Sequence, residues 1–182
     1  MSRPYGDDGM LSLGELQRYL QQECSGDWLT PSQAALYRVI TTTLQHHSVV
    51  NLWGGAGTGK TLLAWTIRNS GYAVYCASPK EGLPHGVSRA VLDNCPSERR
   101  AIRRLREDMA IAEVPHTIVI SRAPVEDDFP ALELPLTPED IQFCKALLFQ
   151  RLGLRCMEDS PCRNLHELVL SYFKTGGASH AH

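Results

Sequence analysis

Ser48-Val49-Val50-Asn51-Leu52-Trp53-Gly54-Gly55-Ala56-Gly57-Thr58-Gly59-Lys60-Thr61-Leu62-Leu63-Ala64-Trp65-Thr66-Ile67-Arg68 is the stretch whose reading decides the fold. Ser48 to Trp53 is short, apolar and bounded by polar residues, as a buried parallel strand should be. Thr61 to Arg68 can form a helix. Between them, Gly54 to Thr61 fits G-x-x-x-x-G-K-[ST], and the strand–loop–helix context gives that pattern its mechanism. Glycines let the backbone wrap closely around a polyphosphate, and the helix N-terminus points free N–H groups at the anion. Gly54, Gly55, Ala56, Gly57, Thr58 and Gly59 are therefore expected to form a phosphate cradle. Lys60 is expected to reach the β- and γ-phosphates, and the Thr61 hydroxyl to hold Mg²⁺. The cofactors expected are ATP or another nucleoside triphosphate, with Mg²⁺.

The bulk numbers agree with one nucleotide-binding domain. A chain of 182 residues can bury a sizeable core, and 43% hydrophobic with 21% charged residues is a globular composition. A net charge of -2 makes no global case for nucleic-acid binding. No run approaches the ~18 apolar residues of a membrane span, and the first residues, Met1 to Gly9, lack the apolar core of a signal peptide. A cytoplasmic location without membrane contact is expected. The six cysteines, Cys24, Cys76, Cys95, Cys144, Cys156 and Cys162, include no C-x-x-C pair. Cys156, Cys162 and His166 could supply three metal ligands, but their spacing fits no common zinc pattern.

Strands alternating with helices predict a mostly parallel α/β sheet in three layers. Residues 1–29 read as a polar tail and a short helix, 30–135 as the nucleotide-binding core, 136–175 as a small helical lid, and 176–182 as a loose tail. Thr30-Pro31-Ser32-Gln33 opens a helix with a capping box; Thr137-Pro138-Glu139-Asp140 opens the lid, with Thr137 capping, Pro138 at the first position and Leu136 able to staple against Ile141. Strands are expected at Ser48–Trp53, Tyr72–Ser78, Thr117–Arg122 and Leu132–Leu134, and helices at Val87–Asn94 and Ser97–Glu113.

These pieces together resemble the P-loop NTPase superfamily. The strand Thr117-Ile118-Val119-Ile120-Ser121-Arg122, followed by Leu134-Pro135-Leu136-Thr137-Pro138-Glu139-Asp140, is similar to the end of the nucleotide domain in AAA+-like ATPases, most of all the signal-transduction (STAND) branch. The resemblance covers about Thr30 to Leu154. It implies a P-loop fold with a reduced C-terminal lid, and an ATP-binding subunit that switches a larger assembly, with partners or further copies completing it. It also implies that Arg122 senses the γ-phosphate or stabilises charge during its transfer, so Lys60 and Arg122 are the candidate catalytic residues. Gln33 resembles the adenine-reading glutamine of superfamily-one helicases, but no helicase motif with paired acidic residues follows, and its place in the capping box explains it better.

One part of the family pattern is not found. Such ATPases carry an apolar strand ending in Asp, which holds Mg²⁺. None of the three clear strands ends that way, and Asp93, Glu107, Asp108 and Glu113 fall in loop-like or helical contexts. Glu81, just beyond the second strand, is the best-placed substitute. Without that carboxylate hydrolysis is expected to be weak or partner-dependent. A small-molecule kinase and a catalytically inactive P-loop scaffold are the alternatives. The kinase lacks an acidic residue for the acceptor hydroxyl at Ser78-Pro79-Lys80. Arg99, Arg100, Arg103, Arg104 and Arg106 form the one strong charge cluster, either a solvated face paired with Glu98, Glu107 and Asp108 or a contact for nucleic acid or an acidic partner.

Overall fold

Apolar runs of four to six residues build the centre of the molecule, β1 (Val49–Trp53), β3 (Arg89–Leu92) and β4 (His116–Ser121). Two three-residue strands, β2 (Val74–Cys76) and β5 (Ala131–Glu133), close the edges. The computed structural model describes residues 12–154 and 162–174. The five strands form one sheet in the order β2-β3-β4-β1-β5, and every pairing is parallel. From β1 the chain crosses to the far edge at β2, works back through β3 and β4, and passes to β5 on the other side of β1.

Six α-helices accompany the sheet among the described residues: α1 (Leu13–Glu23), α2 (Pro31–Thr43), α3 (Lys60–Asn69), α4 (Arg99–Ile111), α5 (Pro138–Leu152) and α6 (Leu165–Lys174). Alternation along the strands assigns the helices to faces. Val50, Leu52, Val91, Ile118 and Ile120 pack on Ile40 of α2 and Leu63, Ala64 and Ile67 of α3. Ala90, Leu92 and Val119 point the other way, onto Ile102, Leu105 and Met109 of α4. Each fully buried Leu or Ile contributes roughly 1.5–3 kcal/mol, so these two layers hold the sheet from both sides. A third cluster lies off the sheet, where Leu62 and Trp65 of α3 meet Trp28, Leu147, Leu148, Val169 and Tyr172.

The expected helix at Val87–Asn94 is a strand. Ala90, Val91 and Leu92 are all buried between β2 and β4, and β3 pairs with both. A short apolar run buried on both faces has no distinguishing period, and this one is far below the ten to twelve residues that favour a helix. The second strand is also shorter than expected. Tyr72 and Ala73 lead into it, and Pro79 to Glu81 form a single 3₁₀ turn after it. The loose ends expected at either terminus fall on residues 1–11 and 175–182, outside those described.

The expected capping box of α2 forms, and α5 has one as well. In α2 the Thr30 hydroxyl accepts from Gln33 N while the Gln33 side chain accepts from Thr30 N. In α5, Asp140 fills the corresponding place opposite Thr137. The buried Asp140 carboxylate does more, because it also accepts from Ser32 N at 3.0 Å and Ser32 Oγ at 2.8 Å. One side chain thereby joins the first turn of α5 to the first turn of α2.

Candidate functional site

Parallel strands put their carboxyl ends along one edge, and the sequence places chemistry at three of them. Gly54 follows β1, Asp93 follows β3 and Arg122 follows β4. Ligands of open α/β sheets bind outside this edge, where strand order reverses. Here the edge opens into a cavity of about 940 Å³, lined by Gly57, Gly59, Lys60, Thr61, Asp93 to Glu98, Ser121 and Arg122, and closed by apolar side chains of α1, α5 and α6. That is the size of a small-molecule or nucleotide pocket.

The glycine-rich loop is bent as a cradle. Gly57 (φ 76°) and Gly59 (φ 88°) lie in the left-handed region, which costs a residue without Cβ nothing. A Cβ at 57 would collide with Asn164, and one at 59 with Gln33 and Leu165. Gln33 is fully buried beneath the loop, with Nε2 donating to the Thr58 carbonyl at 3.2 Å and the Gly59 carbonyl at 3.4 Å. It is a capping residue that also props the loop. From the other side α6 rests on the loop, Leu165 N donating to the Gly57 carbonyl at 3.0 Å.

Lys60 folds back along the cradle, its ammonium donating to the Gly54 carbonyl at 2.6 Å and the Gly55 carbonyl at 2.7 Å. Burial lowers its pKa, the Asp93 carboxylate opposes that shift, and the Arg122 charge adds to it. Arg122 is exposed and has no ion pair among the described residues. Its neighbour Ser121 is committed elsewhere, donating to the Ala123 carbonyl at 2.6 Å and accepting from Asn51 Nδ2 at 2.8 Å. Asn51, wholly buried in β1, also bonds the Val119 carbonyl and Val125 N, both at 3.0 Å. This buried amide fixes the turn that carries Arg122.

Sequence reasoning missed Asp93. It is 2% exposed, and its Oδ2 accepts from Thr61 Oγ1 at 2.8 Å and from Tyr75 Oη at 3.1 Å. Its Oδ1 accepts from Asn94 N at 2.8 Å. A carboxylate thus follows β3, beside the hydroxyl expected to hold Mg²⁺, whereas none was found at the ends of the three clear strands read from sequence. The signal was available: Arg89-Ala90-Val91-Leu92-Asp93 is an apolar run ending in Asp, hidden once the run is read as helix. The side chain of Glu81, the substitute expected from sequence, lies outside what is described. Thr61 and Asp93 together offer a hydroxyl and a carboxylate, hard oxygen donors of the kind Mg²⁺ takes alongside phosphate oxygens.

Neither a protein-family model nor a curated protein matches the chain. What the site does has to follow from its geometry.

The remaining candidates divide. Arg106 is tied down by Asp127 at 2.6 Å and by Asp128, with its guanidinium 4.4 Å from the Phe129 ring centre. Arg103 pairs with Glu107 at 3.7 Å, both well exposed. Arg99, Arg100 and Arg104 are exposed without an ion pair among the described residues. Of the three residues weighed as metal ligands, Cys156 lies outside the described residues, while His166 borders the cavity. Among the described residues no three His, Cys, Asp or Glu side chains cluster as a metal site.

Proposed function

We propose that the chain is an ATP-binding P-loop subunit of AAA+/STAND-like type, acting as a nucleotide-dependent switch in a larger assembly and hydrolysing slowly by itself. The observation that carries this reading is the 2.8 Å bond from Thr61 to the buried Asp93, across a glycine-rich loop that ends in Lys60. A phosphate chain in the cradle would meet the N–H groups at the start of α3, then Lys60, then the exposed Arg122. Thr61 and Asp93 would hold Mg²⁺, which supplies charge neutralisation to the β- and γ-phosphates.

Slow turnover follows from the same carboxylate. Asp93 accepts three hydrogen bonds, so both its oxygens are already engaged in holding the site together. The next residue, which could have carried a second acid, is Asn94, and its side-chain amide is turned away to the Ala77 carbonyl at 2.9 Å. A switch fits this chemistry better than a motor. The lid is coupled to the cradle through α6 on Gly57 and through Asp140 on α2, whose Gln33 supports the loop. Among the described residues no helix is long and apolar enough to cross a membrane, and an ATP-supplied compartment such as the cytoplasm suits the proposed activity.

The test is phosphate release and nucleotide content of the purified protein with Mg-ATP. Bound, largely intact ATP with slow release, both absent in Lys60→Ala, is expected. Fast phosphoryl transfer to an added hydroxyl acceptor would contradict the switch and favour a kinase; absence of any bound nucleotide would end the proposal.

A further inference from the structure

Asp93 has more partners than a metal-holding carboxylate requires. Thr61 supplies one, from the cradle itself, and Asn94 N supplies another within the same turn. The third comes from a different strand. Tyr75, in the middle of β2, donates its hydroxyl to the same Oδ2 that Thr61 binds, at 3.1 Å. Its ring packs against the core on the α3 face of the sheet, so the hydroxyl is delivered by a side chain that has little freedom of its own.

Resting on the nucleotide reading above, we propose that Tyr75 is a positioning residue for magnesium, its hydroxyl holding the Asp93 carboxylate at the angle at which Thr61 and Asp93 can share one cation. The argument is geometric. Oδ1 is fixed by Asn94, which has a left-handed backbone (φ 53°), so the carboxylate plane is set by what Oδ2 meets. Thr61 belongs to the helix that follows the cradle, so its bond to Asp93 does not hold the carboxylate independently of the loop. A donor on β2, independent of cradle and nucleotide, leaves the carboxylate aligned whether or not the cradle is filled. Partners of this kind, which touch a ligand rather than the metal, typically govern ~10–100-fold in metal affinity.

Tyr75→Phe keeps the ring and removes only the hydroxyl. The experiment measures binding of a fluorescent ATP analogue to the full chain, in EDTA and across a MgCl₂ titration, for wild type, Tyr75→Phe, Asp93→Asn and the double variant, with thermal unfolding of each. The expected result is unchanged binding in EDTA for Tyr75→Phe, with the Mg²⁺ needed for half-maximal enhancement raised ~10–100-fold. In the Asp93→Asn background the same change should have no further effect. Wild-type Mg²⁺ dependence in Tyr75→Phe, alongside its loss in Asp93→Asn, overturns the role of Tyr75 and leaves the nucleotide reading standing. Equal weakening in EDTA and Mg²⁺, with a lowered Tm, makes Tyr75 merely structural and also overturns it. Absence of analogue binding in wild type overturns both proposals together.

Discussion

Asp93 is almost shut off from water, and three hydrogen-bond donors satisfy its side-chain oxygens. Buried polar groups are stable when paired and expensive when one partner is taken away. The same rule gives Asn51 its importance, since its amide ties β1 to β4 and to the turn after Arg122. Asn51→Leu should cost about 1–3 kcal/mol in urea unfolding, because Ser121 and Val125 N each lose a partner away from solvent. An unchanged unfolding midpoint would show that the turn holds itself. Arg122 has a prediction of its own. If it meets the γ-phosphate, Arg122→Ala weakens ATP binding while leaving ADP nearly untouched; equal losses for both nucleotides would place it elsewhere.

Among the elements, the helix starts were legible and one strand was not. Ser, Thr and Pro act on backbone groups within four positions, so Thr30 with Gln33, and Thr137 as a cap, could be read from sequence alone. β3 depends on neighbours far away in the chain. Its four residues become a strand by pairing with β2 and β4, and Asp93 was lost with it. The bonds of Asp140 to Ser32, and of Asn51 to Ser121, span 108 and 70 residues, and no local pattern announces them.

The Asp140 clamp also predicts a pH response. Burial alone would raise its carboxyl, but hydrogen bonds from Ser32 and Thr137 outweigh that and hold it at about 2. A folded-state value below the unfolded one stabilises at pH above the unfolded value, and the benefit is lost as pH falls from about 4 toward 2. On the order of 2 kcal/mol should disappear in that window, and Asp140→Asn should flatten the profile. On α4, Arg100→Glu with Arg104→Glu should leave stability within about 0.5 kcal/mol, since both side chains are exposed and unpaired among the described residues. Loss of an assembly partner in that variant would mark the helix as a contact surface.

At the scale of the whole molecule, the sheet delivers Gly54, Asp93 and Arg122 to one edge, while α1, α5 and α6 gather around the outer side of α3. The cradle is held from below by Gln33 and from above by α6. The α/β architecture and the glycine-rich loop were readable in one continuous stretch of chain. The arrangement of helices over the loop was not, because it depends on packing among Leu147, Leu148, Val169 and Trp65, whose spacing also suits an ordinary core.

The central claim is that this cradle binds a nucleoside triphosphate through Lys60 and a Thr61–Asp93 magnesium site. Isothermal titration of the purified chain with ATP in the presence of Mg²⁺, for wild type and Lys60→Ala, tests it most directly. One ATP per chain, with affinity falling at least about tenfold (about 1.4 kcal/mol) in a Lys60→Ala variant that stays folded, is the predicted result. No heat of binding at millimolar ATP, or binding that Lys60→Ala leaves unchanged, would contradict it.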